Sequence, residues 1–288
     1  MVGLAQWILR GRFNARVAAA MLGLVPVIGW TSMAVVALVA LRRNLADALW
    51  PLVGALLVAL TIHWPGGDVS QLGAVLAALA GALVLANSRS LANGLVAVSL
   101  VSGLYIVILM QWAPQKFDPL QGAFQLFLDQ LKQTEQLQDE TRALLEQINL
   151  RQMVIEGMAG MTALAAAAAL LLARWLQARL YNPGGFQAEF HRLRLAPAAT
   201  VALLLGLLIT RWQSEAVVIV PVLILPLLVA GLALFHGVVA MRGRSSTPLV
   251  FFYLTLVLLA GPALMVLIAA AITDSFVDFR KRIGAARP

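Results

Sequence analysis

The sequence predicts an all-α, polytopic integral membrane bundle, and three observations carry that expectation. Of the 288 residues, 61% are hydrophobic and only 12% charged, where a soluble domain has about 45–50% and about 25%. The apolar residues fall into eight runs, at 17–41, 46–63, 72–86, 91–112, 153–175, 196–210, 216–240 and 248–272; several reach the roughly 20 residues that cross a bilayer as a helix. Ala and Leu dominate these runs and apolar–polar alternation is absent, so the spans satisfy their backbone as helices rather than as strands.

Taken in order, the first run follows Arg10, Arg12 and Arg16. It is too long for the apolar region of a signal peptide and no small-residue cleavage site follows it, so it is expected to be retained. The next three runs complete an N-terminal membrane unit, 1–112. A polar, Gln-rich insert at 113–152 separates it from a C-terminal membrane unit, 153–288. In the insert Leu120, Phe124, Phe127 and Leu131 follow helical spacing and predict one apolar stripe. The stretch 139–150, with Leu144 and Ile148 four apart, predicts a second helix. The pair is expected on the outer face, as a cap, a surface helix or a lid over a cavity.

Basic residues set the orientation. Arg42–Arg43, Arg89, the group Arg174, Arg179, Arg192 and Arg194, and Arg242 with Arg244 lie in short connectors, whereas the insert mixes both signs. Cytoplasmic connectors place the insert outside, with Trp64, Trp112 and Trp212 at the outer interface. Straight first and last runs would then carry Arg10, Arg12 and Arg16 and the cluster Arg280, Lys281, Arg282 outside. Folding both runs back removes that conflict and leaves only Lys116, Lys132, Arg142, Arg151 and Arg211 of the 21 Lys and Arg external. Pro26 and Gly29 are the expected break in the first run, Gly261 and Pro262 in the last. Arms of about 12 residues reach about 18 Å, short of a core of about 30 Å, and need protein or a cavity around them. The alternative is a single tilted span at either end. Broken apolar segments in both halves point to a transporter-type binding site.

"YNPGGFQAEFHRLRL" follows the fifth run. Asn182-Pro183-Gly184-Gly185 ends a helix. Phe186, Phe190 and Leu193 then share a face, which predicts a short interfacial helix at 183–194 with Arg192 and Arg194 toward headgroups. The terminal "DSFVDFRKR" repeats the theme, with Phe279, Arg280, Lys281 and Arg282 as an interfacial anchor.

Ionisable residues within spans are costly and often functional. Glu156 and His236 are therefore the expected polar lining of a ligand pocket shaped by Pro26, Gly29, Gly261 and Pro262, a helix–helix hydrogen bond being the other reading of each. Arg211 and Glu215 read as a solvated pair at i, i+4. His63, His191 and His236 are far apart in sequence, and no zinc-protease, nucleophile-elbow or phosphate-loop motif appears. No catalytic residue, metal ligand or cofactor is assigned; an enzyme on a lipid-linked substrate is a further reading. With no cysteine, thiol and disulfide chemistry is excluded. The scattered basic clusters exclude a nucleic-acid partner.

The order "GLVPVIGW", "VALVALRRN", "GGFQAEFHRLRL" and "DSFVDFRKR" resembles the YybS-like family of bacterial inner-membrane proteins over nearly the whole chain apart from the insert. The resemblance implies the fold of the substrate-binding S subunits of energy-coupling-factor vitamin transporters: a compact helical bundle with a pocket open to the outside. It implies an energising partner met through an Ala-x-x-x-Ala surface, for which Ala15 and Ala19 have the spacing. The expectation is thus an inner-membrane protein that binds and helps move a small molecule, with membrane lipids and an energising subunit as partners. The alternative is a non-transporting scaffold that holds an envelope partner through its external insert.

Overall fold

The computed structural model describes residues 2–25, 27–133, 143, 145–243 and 247–285. Among them every regular element is helical. In chain order the α-helices are α1 (Val2–Arg10), α2 (Arg12–Gly23), α3 (Thr31–Arg42), α4 (Leu45–Val58, continued by a π-turn Ala59–His63), α5 (Ser70–Ser88), α6 (Leu91–Trp112), α7 (Asp118–Lys132), α8 (Leu150–Tyr181), α9 (Gly185–Arg192), α10 (Pro197–Thr210), α11 (Val220–Met241), α12 (Thr247–Leu258), α13 (Ala260–Val277) and α14 (Phe279–Ala285), with 3-10 turns at Pro114–Phe117 and Ser214–Ile219 leading into α7 and α11. Six stretches are long and apolar enough to cross a membrane: Leu45–His63, Ser70–Ser88, Leu91–Trp112, Leu150–Tyr181, Ala216–Met241 and Ala260–Val277. The molecule is a helical bundle of multi-pass membrane character.

The centre of the bundle is α3, whose residues from Ser32 to Ala40 are all buried. It packs against α4, α5 and α8. Small side chains allow this: Ala74, Ala77 and Ala78 of α5 and Ala159, Ala163, Ala166 and Ala167 of α8 are buried, and backbones approach closely where side chains are short. Between α5 and α6 the approach is closer still. A Cβ on Gly81 would lie 2.6 Å from Val98 Cγ2 and 3.0 Å from the carbonyl oxygen of Gly94.

The first apolar run is interrupted at 24–30 and its arms lie side by side. Arg12 at the start of α2 donates to Asp47 at 2.6 Å, and Arg43, just past α3, reaches the same carboxylate at 3.5 Å and the Leu9 carbonyl at 2.6 Å. At the other end His63 Nε2 is 3.0 Å from the Gly23 carbonyl. The two arms therefore begin and finish beside Asp47, and their tip lies at the level of His63. Each arm is a 12-residue helix, about 18 Å at 1.5 Å per residue and short of a core of about 30 Å. Gly29 is buried at the tip, and a Cβ would meet the Gly23 and Val25 carbonyl oxygens at 3.3 Å; Pro26, the other expected breaker, lies outside the described residues.

The last run breaks at Leu259 (φ −126°, ψ 47°), between α12 and α13, not at Gly261–Pro262. Those two residues fall in the first turn of α13, where a proline's missing N–H costs nothing. Here too the chain comes back: Phe252 stacks on Phe235 at 4.0 Å, Leu267 lies against Gly231, and Arg280 lies against Gly237. Entry and exit thus meet the same few turns of α11.

Within 113–152, α7 is helical and its apolar stripe is only partly covered: Leu131 packs against the core. Leu128 is buried, while Phe124 and Phe127 are 39% and 55% exposed. Of the second expected helix, 139–150, residues 139–142 and 144 lie outside the described residues; Asn149 instead caps α8 by accepting from the Gln152 N–H.

Candidate functional site

A cavity of about 740 Å³ opens at the end of the bundle that carries the insert. Leu120, Ala123 and Phe124 of α7 form one wall and Met153, Met158 and Met161 of α8 the other. Met153, Gly157 and Met161 recur every fourth residue and share a ridge of α8. A Cβ on Gly157 would meet nothing within 4 Å, so the missing side chain is itself part of the hollow.

The rim is polar and comes from the sequence "HWPGGDVS", residues 63–70. The π-turn at the end of α4 and the Pro65-Gly66-Gly67 turn, with Gly67 at φ +87°, bring the chain round to α5. Asp68 then accepts from the N–H and hydroxyl of Ser70 at 3.2 and 2.5 Å, an Asx turn just before α5. The other Asp68 oxygen is 3.5 Å from His63 Nδ1. Tyr105 fixes this loop: its ring fills the space beside Gly73 and its hydroxyl donates to the Val69 carbonyl at 2.6 Å. Because Ser70 donates to Asp68 and not to His63, these three residues do not form an activated serine nucleophile. They offer an acceptor at the edge of an apolar hollow. Sequence reasoning passed over Asp68 and Ser70, although a Pro-Gly-Gly turn followed by Asp-x-Ser is a legible loop and helix start.

The residues expected to line one pocket are distributed among separate places. Glu156 is half-buried at the insert end and accepts from Gln152 Nε2 at 2.7 Å on its own helix, near a second cavity of about 360 Å³ edged by Gln111, Asn149, Arg151 and Gln152. His236 lies at the opposite, basic end, 2.8 Å from the Tyr253 hydroxyl. Pro262 lines an apolar cleft of about 510 Å³ between α11 and α12–α13. Gly261 is exposed beside it, and Gly29 closes the α2–α3 tip. The two folded-back arms pack on different helices, α2–α3 on α4, α5 and α8 and α12–α13 on α11, and so enclose no common cleft among the described residues.

At the basic end, Phe186 and Phe190 stack at 5.9 Å and turn toward the protein. Arg192, Lys281 and Arg282 are exposed, and Phe279 is half-buried. Arg194 pairs with Asp278 at 3.3 Å. Arg280 departs from the expected anchor: it points inward to the buried Asp274 at 2.5 Å and donates to the carbonyls of His191 and Leu193. On α9, outside the six membrane-length helices, burial and then the Arg280 charge push His191 below the ordinary imidazole value. No three His, Asp or Glu side chains gather to hold a metal ion among the described residues. Comparison of the chain with family models, with curated proteins and with solved structures gave no match.

Proposed function

We propose that the protein is a bacterial inner-membrane protein that binds an apolar or amphipathic small molecule in the cleft beneath α7 and helps move it across the membrane. The cleft carries this reading. Its volume of about 740 Å³ falls within the roughly 300–1,000 Å³ of small-molecule sites. Its Met and Phe walls adapt to irregular apolar shapes, and Asp68 supplies one polar contact at the rim. Met161 is 60% exposed, so the hollow is open at the side where lipid would lie. Cytoplasmic termini and an external insert fit the basic end facing inward, and both broken runs then serve as re-entrant hairpins. A pocket beneath an external cap also fits the S-subunit-like arrangement that the YybS-like resemblance implies.

Thermal unfolding of the detergent-purified protein against vitamins, nucleobases, hydrophobic amines and lipids tests the reading. A ligand at 100 times its Kd is expected to stabilise by about 2.7 kcal/mol. Gly157→Leu fills the hollow without touching backbone, so it is expected to abolish that shift while leaving the unliganded Tm within a few degrees. Absence of any ligand-dependent shift, or a shift equal in Gly157→Leu, overturns the assignment.

Orientation is checked separately, since the natural chain has no cysteine. An impermeant maleimide is expected to label Gln125→Cys in intact spheroplasts and Gln187→Cys only after permeabilisation; the opposite pattern would invert the bundle.

A scaffold that binds an envelope partner is the second reading, favoured by Leu126 and Phe127 on α7, which are 67% and 55% exposed. Leu126→Ser with Phe127→Ser would then cost partner capture and leave the ligand-dependent Tm shift intact.

A further inference from the structure

A second, chemically different cavity lies at the basic end, where α8 and α9 diverge. It measures about 440 Å³ and is lined by Trp175, Ala178 and Arg179 of α8, Phe186, Gln187, Phe190 and His191 of α9, and His236 of α11. The turn between the helices is held open by Gly184 at φ +86°. Their separation is fixed from the side, since Arg174 pairs with Glu189 at 2.6 Å and with Gln177 at 2.6 Å. The hollow is therefore built into the fold.

Its polar groups are all donors or neutral. The acids nearby are already engaged: Glu189 by Arg174, Asp274 by Arg280 and Asp278 by Arg194. No carboxylate lines the cavity. Arg179 is exposed, and among the described residues the side chains of Arg179, Gln187 and His191 have no hydrogen bond or ion pair. Arg179 and Gln187, with His191 tilted against the His236 ring at 6.4 Å, thus converge over aromatic walls, beside a helix, α9, that bends 62° away from the apolar α10.

We propose that this cavity binds the headgroup of an anionic phospholipid, with Arg179 on the phosphodiester, Gln187 and His191 on headgroup hydroxyls, and the acyl-glycerol part against Trp175, Phe186 and Phe190. An arginine fork matches a phosphate bidentately. A zwitterionic headgroup fits less well, because its ammonium meets Arg179 and finds no carboxylate. The site is independent of the cleft beneath α7 and stands or falls apart from it.

The test is native mass spectrometry of the full-length protein released from nanodiscs of equal phosphatidylglycerol and phosphatidylcholine. The wild type is expected to retain phosphatidylglycerol preferentially, and Arg179→Gln to retain it about tenfold less. Arg242→Gln, exposed at the same end but outside the cavity, is expected to match the wild type. Gln187→Ala, at an exposed position, should lose a few-fold, and gives the reading even if Arg179→Gln does not fold. Equal loss in Arg179→Gln and Arg242→Gln would mean diffuse surface attraction and overturns the site, as does equal retention of the two lipids. Displacement of the lipid by millimolar inorganic phosphate, with no preference for short-chain phosphatidylglycerol over phosphate, would assign the cavity to free phosphate and overturn the lipid source.

Discussion

Arg280→Ala is expected to destabilise the protein by about 3–5 kcal/mol, the usual cost of stranding one member of a buried ion pair. Asp274 is 2% exposed, so its carboxylate cannot turn to water for a replacement partner. One of its oxygens receives Arg280 Nη1 at 2.5 Å and the other the Phe279 N–H at 2.9 Å. The same guanidinium donates to the His191 carbonyl at 2.7 Å and to the Leu193 carbonyl at 2.9 Å. A single side chain therefore ties α14, the end of α13 and the α9–α10 connection together. The geometry is tight on the far side as well: a Cβ on Gly237 would lie 2.6 Å from the His191 oxygen and 3.2 Å from Arg280 Nε. Thermal unfolding in detergent should show the loss. Arg280→Lys should recover only part of it, because one ammonium cannot serve three acceptors laid out for a planar fork. Pairing Arg280→Met with Asp274→Asn removes both charges and should be less destabilising than Arg280→Ala alone. Lys281→Ala and Arg282→Ala, both at exposed positions, should stay within about 0.5 kcal/mol. An Arg280→Ala protein as stable as those two controls would refute the role given to the pair.

That contrast shows what the sequence exposes and what it conceals. Three consecutive basic residues after a phenylalanine look alike on paper, and the interfacial expectation treats them alike. Only the fold distinguishes Arg280, because Asp278 adopts φ +51° and turns α14 back beneath α9. The helices themselves were legible, since long apolar runs leave the backbone no other way to satisfy itself in lipid. Their neighbours were not, because α3, α5 and α8 meet through alanines that recur throughout an Ala-rich chain. The interruption of the first run could be read from a Pro and a Gly within four residues. In the last run the same residue types misled by a few positions, because a proline in the first turn begins a helix as readily as it ends one. Glu156 and His236 stood out by the rarity of charge in apolar runs, but the partner of one is a turn away and the other's lies on α12. The cleft beneath α7 depends on residues from three separate segments, and no spacing rule joins 68, 124 and 157.

The close contacts that spacing cannot reveal lead to the second large effect, at Gly54. In α4 this residue faces α2, and a Cβ there would overlap the carbonyl oxygen of Arg16 and approach the Arg16 Cγ at 3.2 Å. The obstacle is backbone, so no rotamer change relieves it, and α2 itself must move. Gly54→Leu is accordingly expected to cost about 1–3 kcal/mol or more, and even Gly54→Ala should be destabilising despite the better helix propensity of alanine. The displacement also reaches Arg12, one turn before Arg16, whose bond to Asp47 holds the outer end of the folded-back arm. A readout beyond Tm follows: opening of the α2–α4 contact should raise proteolysis between Gly11 and Gly23 in the variant and not in the wild type. Gly122→Ala is the contrasting case. A Cβ there meets nothing within 4 Å, and replacing a mid-helix glycine should stabilise α7 by about 0.5–1 kcal/mol. Opposite signs for the same chemical change at 54 and 122 would show that close backbone approach, rather than helix propensity, dictates the glycine in α4; two changes of the same sign would show that α2 is free to yield.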